Sequence, residues 1–337
     1  MEIHAGAEWL WRKVGLDYVH GGPVLLASLG SLVAVFVTAA LIESVAVGWR
    51  ASSLGRLMSG RASPRCDMVT ALLFQTPLVG HVAVLLSGGL SLWALHCAKI
   101  GLHPIWTGGR SPWLHAVVCL VVLDLSYYGV HRLMHAWEPL WQLHRFHHVA
   151  DEATLLTALR VHPLESALCG VCLAVPIGLL GGTASEGPVV FFLTQVLSML
   201  RHGNLPWSWG KLGDYGLISP AAHRVHHASD PACFDSNFGI LFPWWDRLFG
   251  TWHAPVAGLP PIGVDGDCLA AMGWARGVWQ SYVDFWRALV RLARRPGNAS
   301  SKIVRSVTTA DRPASTATPS PGSDETRREL PVPSVRR

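Results

Sequence analysis

The chain has 337 residues, half of them hydrophobic and only 15% charged, with a mean hydropathy of +0.31. That balance excludes an ordinary soluble globule and points to an integral membrane protein. The net charge of +5 gathers in the last 50 residues and in the loop around Arg50 to Arg65, and no nucleic-acid motif accompanies it, so nucleic-acid binding is excluded. The first 20 residues are mixed and aromatic, so no cleavable signal peptide is expected. The first long apolar run, residues 23–47, should be an uncleaved span. The loop after it carries Arg50, Arg56, Arg61 and Arg65 with no acid until Asp67, which the positive-inside rule places in the cytoplasm. A second run covers 69–95. A third covers 113–130 and leads straight into His131. A fourth region, 164–200, is too long for one span, and its interruption at 181–188 suggests two short spans or a re-entrant hairpin. Residues 273–295 have the pattern of an amphipathic helix, either lying on the membrane or packed on the domain. From Pro296 onward Ser, Thr, Pro and charge predominate, the composition of a disordered tail.

Eight of the seventeen histidines fall in three clusters: His131 and His135; His144, His147 and His148; His223, His226 and His227. The spacings i to i+4 and i, i+3, i+4 put each cluster on one helix face. Five imidazoles within eighteen residues would be costly to desolvate unless something satisfies their nitrogens, and a transition metal does so. Eight nitrogens exceed the needs of one ion and suit two ions with about four each. Imidazole ligands exclude Mg and Ca and allow Fe, Zn, Cu or Ni; spacing alone does not separate iron from zinc. Following the spans, every cluster reaches the cytoplasmic face, a placement that argues against a metal transporter or sensor with ligands inside the spans. A zinc-dependent membrane hydrolase is the competing enzyme.

The seven cysteines are odd in number and mostly lie in or beside apolar stretches, so no disulfide framework is expected. Cys169-Gly-Val-Cys172 reads as small residues in a membrane helix rather than a redox or zinc pair. Metal-bound imidazoles usually give their second N–H to a carboxylate or carbonyl. Asp124, Asp151, Glu165, Asp235 and Asp246 are the candidates. Ion pairing is the competing account, notably of Asp246 or Asp230 with Arg132, Arg145 or Arg224. Tyr127 and Tyr128 either line a substrate path or are interfacial.

The stretch from Asp124 through His131-Arg-Leu-Met-His135 resembles the opening motif of the sterol desaturase/fatty acid hydroxylase superfamily. So do His144-Arg-Phe-His147-His148, Leu159-Arg-Val-His162-Pro-Leu-Glu165, His202-Gly-Asn204, His223-Arg-Val-His226-His227, Asp235-Ser-Asn-Phe-Gly239 and Trp245-Asp-Arg-Leu-Phe-Gly-Thr251. The likeness covers about residues 80–252. It implies an all-α membrane helical bundle of four to five spans or hairpins with a cytoplasmic helical cap carrying a dinuclear metal site. It implies two Fe ions, with zinc as a substitute in preparations, and O2 as co-substrate. The activity implied is hydroxylation or desaturation of a lipid delivered from the bilayer. Carried over position by position, the ligands are His131, His135, His144, His147, His148, His223, His226 and His227, with His202 as a ninth. His162, Asp124, Asn204 and Asp246 are further candidates for ligation or for support of the ligands. One departure is His202-Gly-Asn204, where the family has His-Ser-Asn; it removes a hydroxyl but no ligand. With no haem-binding His-Pro-Gly-Gly segment, Rossmann glycine pattern or Fe–S cysteine pattern, a separate electron donor is expected: a ferredoxin, a cytochrome b5-like protein or a pterin. The expected divisions are N-terminal spans and loops at 1–112, the catalytic domain at 113–256, the amphipathic region at 257–295 and the tail at 296–337.

Overall fold

A computed structural model describes residues 22–91, 93–94, 97, 103–105, 111–180 and 188–294. The expected disordered tail and most of the 181–188 interruption lie outside the described residues. Every regular element among the described residues is helical, and a single antiparallel bridge joins Ala228 to Ile262. The helices are α1 (Gly22–Val47), α2 (Ser53–Leu57), α3 (Ala62–Phe74), α4 (Pro77–Leu86), α5 (Pro112–Ala136), α6 (Glu138–His148), α7 (Pro163–Leu179), α8 (Pro188–His202), α9 (Lys211–Tyr215), α10 (Pro220–His226), α11 (Trp244–Leu248), α12 (Leu269–Met272) and α13 (Trp274–Arg294). A 3-10 turn at Leu155–Leu159 links the region after α6 to α7.

Two described helices are long and apolar enough to cross a bilayer, Leu29–Val47 and Trp113–Ala136. At 1.5 Å per residue the second measures about 36 Å, beyond the roughly 30 Å hydrocarbon core, so its last turn reaches the surface. Its exposed residues Trp113, Val117, Leu125 and Leu133 form a row of large apolar side chains that winds around the helix, because each step of four residues overshoots a full turn by about 40°. Val33, Val37, Leu41 and Val45 do the same on α1. The apolar run at 69–95 is not one straight helix. Phe74 ends α3, Thr76 accepts the Leu78 N–H as an N-cap, and Pro77 starts α4 at 93° to α3, a broken span or a re-entrant element. By length and composition two helices could span among the described residues, or three with this pair, and the expected fourth region is two shorter helices, α7 and α8, on either side of residues 181–187.

The buried side of α3 packs against the 3-10 turn. Asp67 is fully buried, accepts from Thr154 and Thr157 at 2.7 Å each, and faces the Arg160 Nε at 3.2 Å. The 3-10 turn is thereby pinned to α3. The main apolar core joins α1, the 3-10 turn and α8 through Val35, Ala39, Leu155, Met199 and Leu200. Within the apolar α1, Glu43 is fully buried and accepts from the Ser53 and Asn204 backbone N–H groups at 2.8 and 2.7 Å. A span, the first loop and the end of α8 are tied together by this one carboxylate.

Candidate metal centre

The histidines come from four segments. His131 and His135 sit one turn apart at the end of α5. The chain breaks at Trp137, whose extended backbone caps α6, and Pro139 restarts the helix. This tight α5–α6 corner folds His144, His147 and His148 back against the α5 pair. His202 closes α8. Ser219 accepts the Ala222 N–H and Pro220 opens α10, which carries His223 and His226 with His227 at its C-cap.

Nine imidazoles converge in two groups. One holds His131, His135, His144, His148 and His226; the other holds His147, His202, His223 and His227; within each, one ring nitrogen per residue lies within 4.8 Å of all the others. The groups adjoin through His148 and His227, whose rings stack at 4.4 Å. All nine predicted positions are brought together, His202 among them.

Hydrogen bonding decides which nitrogens face inward. His131 Nδ1 donates to the Phe238 carbonyl at 2.8 Å, and His144 Nδ1 donates to Glu165 at 2.7 Å. His147 and His202 donate through Nδ1 to the Arg160 and Ser198 carbonyls, and His226 to that of Ser236. His135 Nδ1 lies 3.5 Å from Asp235. A proton on Nδ1 leaves a lone pair on Nε2. Yet His131 and His144 present Nε2 to Nε2 at 3.1 Å, His147 and His202 at 3.3 Å, and His226 Nε2 is buried without a partner. Facing lone pairs repel unless a cation lies between them. With metal–nitrogen bonds of about 2.1 Å, ligands at right angles stand about 3.0 Å apart, which matches these separations. The donor set fits two transition-metal ions.

Burial, followed by repulsion from neighbouring histidines, pushes His147, His148, His223 and His227 well below the usual histidine range. His226 is pushed down to about 3, chiefly by burial. Neutral imidazole is the ligating form.

The loop after α10 aims two of the carbonyls. Asp235 and Asn237 both adopt positive φ (55° and 54°), turning the Ser236 and Phe238 carbonyls toward His226 and His131. Each non-glycine residue in this region costs about 1 kcal/mol. Two buried carboxylates hold the loop. Asp246 accepts from the Phe238 and Gly239 N–H groups and the Thr251 hydroxyl at 2.7–2.8 Å. Asp124 accepts from the Leu241 and Phe242 N–H groups and the Trp245 indole. Gly239 has to be glycine, because a Cβ there would meet the Asp246 carboxylate at 2.8 Å and the Phe242 carbonyl at 2.6 Å.

Several expectations are corrected. His162 is turned to other work: its Nδ1 accepts the Leu164 N–H as the N-cap of α7 and its Nε2 donates to the Val278 carbonyl, leaving no nitrogen for a metal. Among the carboxylates, Glu165 and Asp235 reach histidines; Asp124 and Asp246 act on the 238–245 loop instead, and Asp151 is exposed, outside both groups. Asn204 is no ligand, since its side chain bonds the Ala51 carbonyl and Arg224. The competing ion pairs do not form either. Arg145 pairs with Asp267 and Asp284, Arg224 bonds the Pro260 carbonyl, Arg132 donates to the Tyr128 hydroxyl, and Asp230 caps a turn. Tyr128 is buried and bonds Thr251, whereas the Tyr127 ring meets His131 edge-on at 5.8 Å. None of the seven cysteines is in a disulfide.

The sequence reading missed Glu43 and the Asp67–Arg160 pair. A lone acid inside a 26-residue apolar helix was the available signal for the first. Glu43 also accounts for Gly203: a Cβ there would stand 3.0 Å from its carboxylate and 3.0 Å from Leu155. An open cavity of about 350 Å³ reaches His135, His148 and His226, with Trp141, Phe234 and Asp235 on its walls.

The molecule thus gathers nine imidazoles in two groups, each able to hold a metal ion, at the end of an apolar helix long enough to cross a membrane. The fatty acid hydroxylase family profile matches residues 116–251. Over 152 residues the chain is 33% identical to an alkylglycerol monooxygenase of Caenorhabditis elegans, covering 45% of this chain and 29% of that protein. It is 30% identical over 139 residues to the ornithine lipid hydroxylase OlsE of Rhizobium tropici, covering 41% of this chain and 42% of the relative. It is 27% identical over 173 residues to a Delta(7)-sterol 5(6)-desaturase, erg3C, of Aspergillus fumigatus, covering 45% and 52%. The chain spans about half or less of the length of these relatives. No solved structure matches it. Residues 116–251 thus match a fatty acid hydroxylase domain, and the similarity to these relatives supports a kinship with the sterol desaturase/fatty acid hydroxylase superfamily.

Proposed function

We propose that this chain is a membrane-bound, O2-dependent di-iron oxygenase that hydroxylates or desaturates a lipid. The observation that carries the reading is the convergence of nine inward Nε2 atoms in two groups at the end of an apolar helix. In this reading the ligands are His131, His135, His144, His148 and His226 for one ion and His147, His202, His223 and His227 for the other. Relatives named as a monooxygenase, a hydroxylase and a desaturase support iron over a zinc hydrolase. Two bound irons would supply O2 activation and hydrogen abstraction from an unactivated C–H bond.

The chain's own part is positioning. The Phe238, Arg160, Ser198 and Ser236 carbonyls and Glu165 keep the protons of five of the nine histidines on Nδ1, so those five Nε2 atoms stay available. Burial keeps the imidazoles neutral and excludes bulk water. Tyr127 sits one turn before His131 and flanks the centre on the membrane side, where a lipid chain arrives from the bilayer. Arg50, Arg56, Arg61 and Arg65 orient the site to the cytoplasm, and electrons come from a separate ferredoxin, cytochrome b5-like or pterin donor.

Lipid mass spectrometry of cells with and without the gene, grown under 18O2, tests this. A lipid gaining one labelled oxygen indicates hydroxylation, and loss of two hydrogens indicates desaturation. Unchanged lipids with well-expressed, zinc-loaded protein contradict the proposal.

A further inference from the structure

The helix α13 lies beyond the 116–251 family match and has three faces rather than two. The inner face, with Gly277, Val278, Ser281 and Ala288, is buried, and α13 packs along α6, the helix that carries His144, His147 and His148. Gly277 sits so close to α6 that a Cβ would meet the Phe146 ring at 2.9 Å. Ion pairs fix the two helices along their length: Arg145 with Asp284 at 2.6 Å and Arg291 with Glu138 at 2.7 Å.

At 100° per residue, Trp279, Trp286 and Val290 fall on the opposite side, and they are 60%, 49% and 45% exposed. A helix that needs only to cover α6 would be polar there. Arg276, Arg287 and Arg294 form a basic row on one flank of this strip. Three observations name what covers it. Tryptophans beside apolar residues favour the headgroup level of a bilayer. A flanking arginine row favours anionic lipid and disfavours a second copy, which would set like charges together. The strip also adjoins a membrane element: Tyr282 donates to the Leu86 carbonyl at the end of α4, and Leu85 there is 77% exposed.

We propose that α13 is a membrane-interface helix. Its Trp279–Trp286–Val290 strip inserts at the headgroup level of an anionic bilayer, and its inner face holds α6, so contact with the bilayer steadies the α6 histidines. This rests on the chain lying in a bilayer and not on the oxygenase reading. The test uses the full chain in vesicles of phosphatidylcholine and phosphatidylglycerol, with an environment-sensitive fluorescent amino acid at position 290. Insertion predicts quenching by lipid carrying a shallow doxyl group and shielding from iodide. Quenching by iodide alone overturns the proposal, as does shielding from both quenchers, the result for a protein partner or a second copy. The coupling is read by metal retention against a chelator. Trp279→Ser with Trp286→Ser should release metal faster than the unaltered chain in vesicles and at the same rate in detergent; equal rates in both overturn the coupling. Gly277→Ala should lose metal even in detergent and recover it when combined with Phe146→Leu. Full retention by Gly277→Ala shows that α13 does not hold α6.

Discussion

The two histidine groups are built from the same side chain but supported differently. The five-histidine group leans on carboxylates, Glu165 behind His144 and Asp235 beside His135, and on a loop that Asp246 and Asp124 clamp. It opens onto the cavity at His135, His148 and His226. The four-histidine group leans on backbone carbonyls alone, those of Arg160 and Ser198, and His223 Nδ1 has no partner. Carboxylates raise the basicity of the imidazoles they support, and an opening admits co-substrate. The five-histidine ion should be the tuned and accessible one, and the four-histidine ion the enclosed one.

The largest expected effect is loss of a single ligand. His135→Ala or His227→Ala should reduce lipid oxidation to background, because either ion alone leaves the centre incomplete; full activity in one variant would show that its group is not part of the centre. Acid comes next. Folding depresses the pKa values of His147, His148, His202, His223, His226 and His227 through burial, whereas the unfolded chain takes up protons on them below about pH 6.5. Metal-free protein should therefore keep full stability above that pH and lose it as pH falls, by up to about 1.4 kcal/mol per pH unit for each such histidine. Asp246, Asp235 and Asp67 work with the opposite sign, because burial raises their carboxyls, that of Asp246 to about 6, but the depressed histidines outnumber them. Thermal melts between pH 7 and pH 5 read the net fall. In the loaded protein the five-histidine group should release its ion first, since its cavity of about 350 Å³ is far wider than the cleft of about 10 Å³ at His202 and His227.

Asp246→Asn removes acceptors from a fully buried site and should cost about 2–4 kcal/mol, read as a lower melting temperature. The loss should fall on the five-histidine side, through the Phe238 carbonyl that orients His131. Glu165→Gln should leave the fold intact and weaken metal binding about 10–100-fold at the five-histidine group only, measured by chelator competition. The smallest effect belongs to His162→Asn. Asparagine still caps α7, so stability should fall by only about 1 kcal/mol with metal content unchanged. Loss of a metal ion in this variant would restore His162 as a ligand.

The converging histidine clusters were legible because helical spacing puts paired histidines on one face, and α5, α6 and α10 are in fact helical there. His162 was ambiguous because a histidine before proline suits both a ligand and a cap; only the Val278 and Leu164 bonds decide it. The partition into five and four was not legible, since neighbouring His147 and His148 serve different groups and His202 arrives from another helix. The same limit hid the roles of Asp124 and Asp246, which act through backbone amides more than a hundred and about eight residues away, respectively. The break between α3 and α4 was readable in Thr76-Pro77, a cap followed by proline, but continuous hydrophobicity outweighed it.

The most direct measurement is the metal stoichiometry of purified full-length protein expressed with ample iron, compared with His135→Ala and His227→Ala. Two unlike sites predict two irons per chain in the unaltered protein and one in each variant. In His227→Ala the retained iron should be the one a chelator removes more readily, and in His135→Ala the more resistant one. A single ion per chain in the unaltered protein, or zinc retained in preference to iron, would contradict the account.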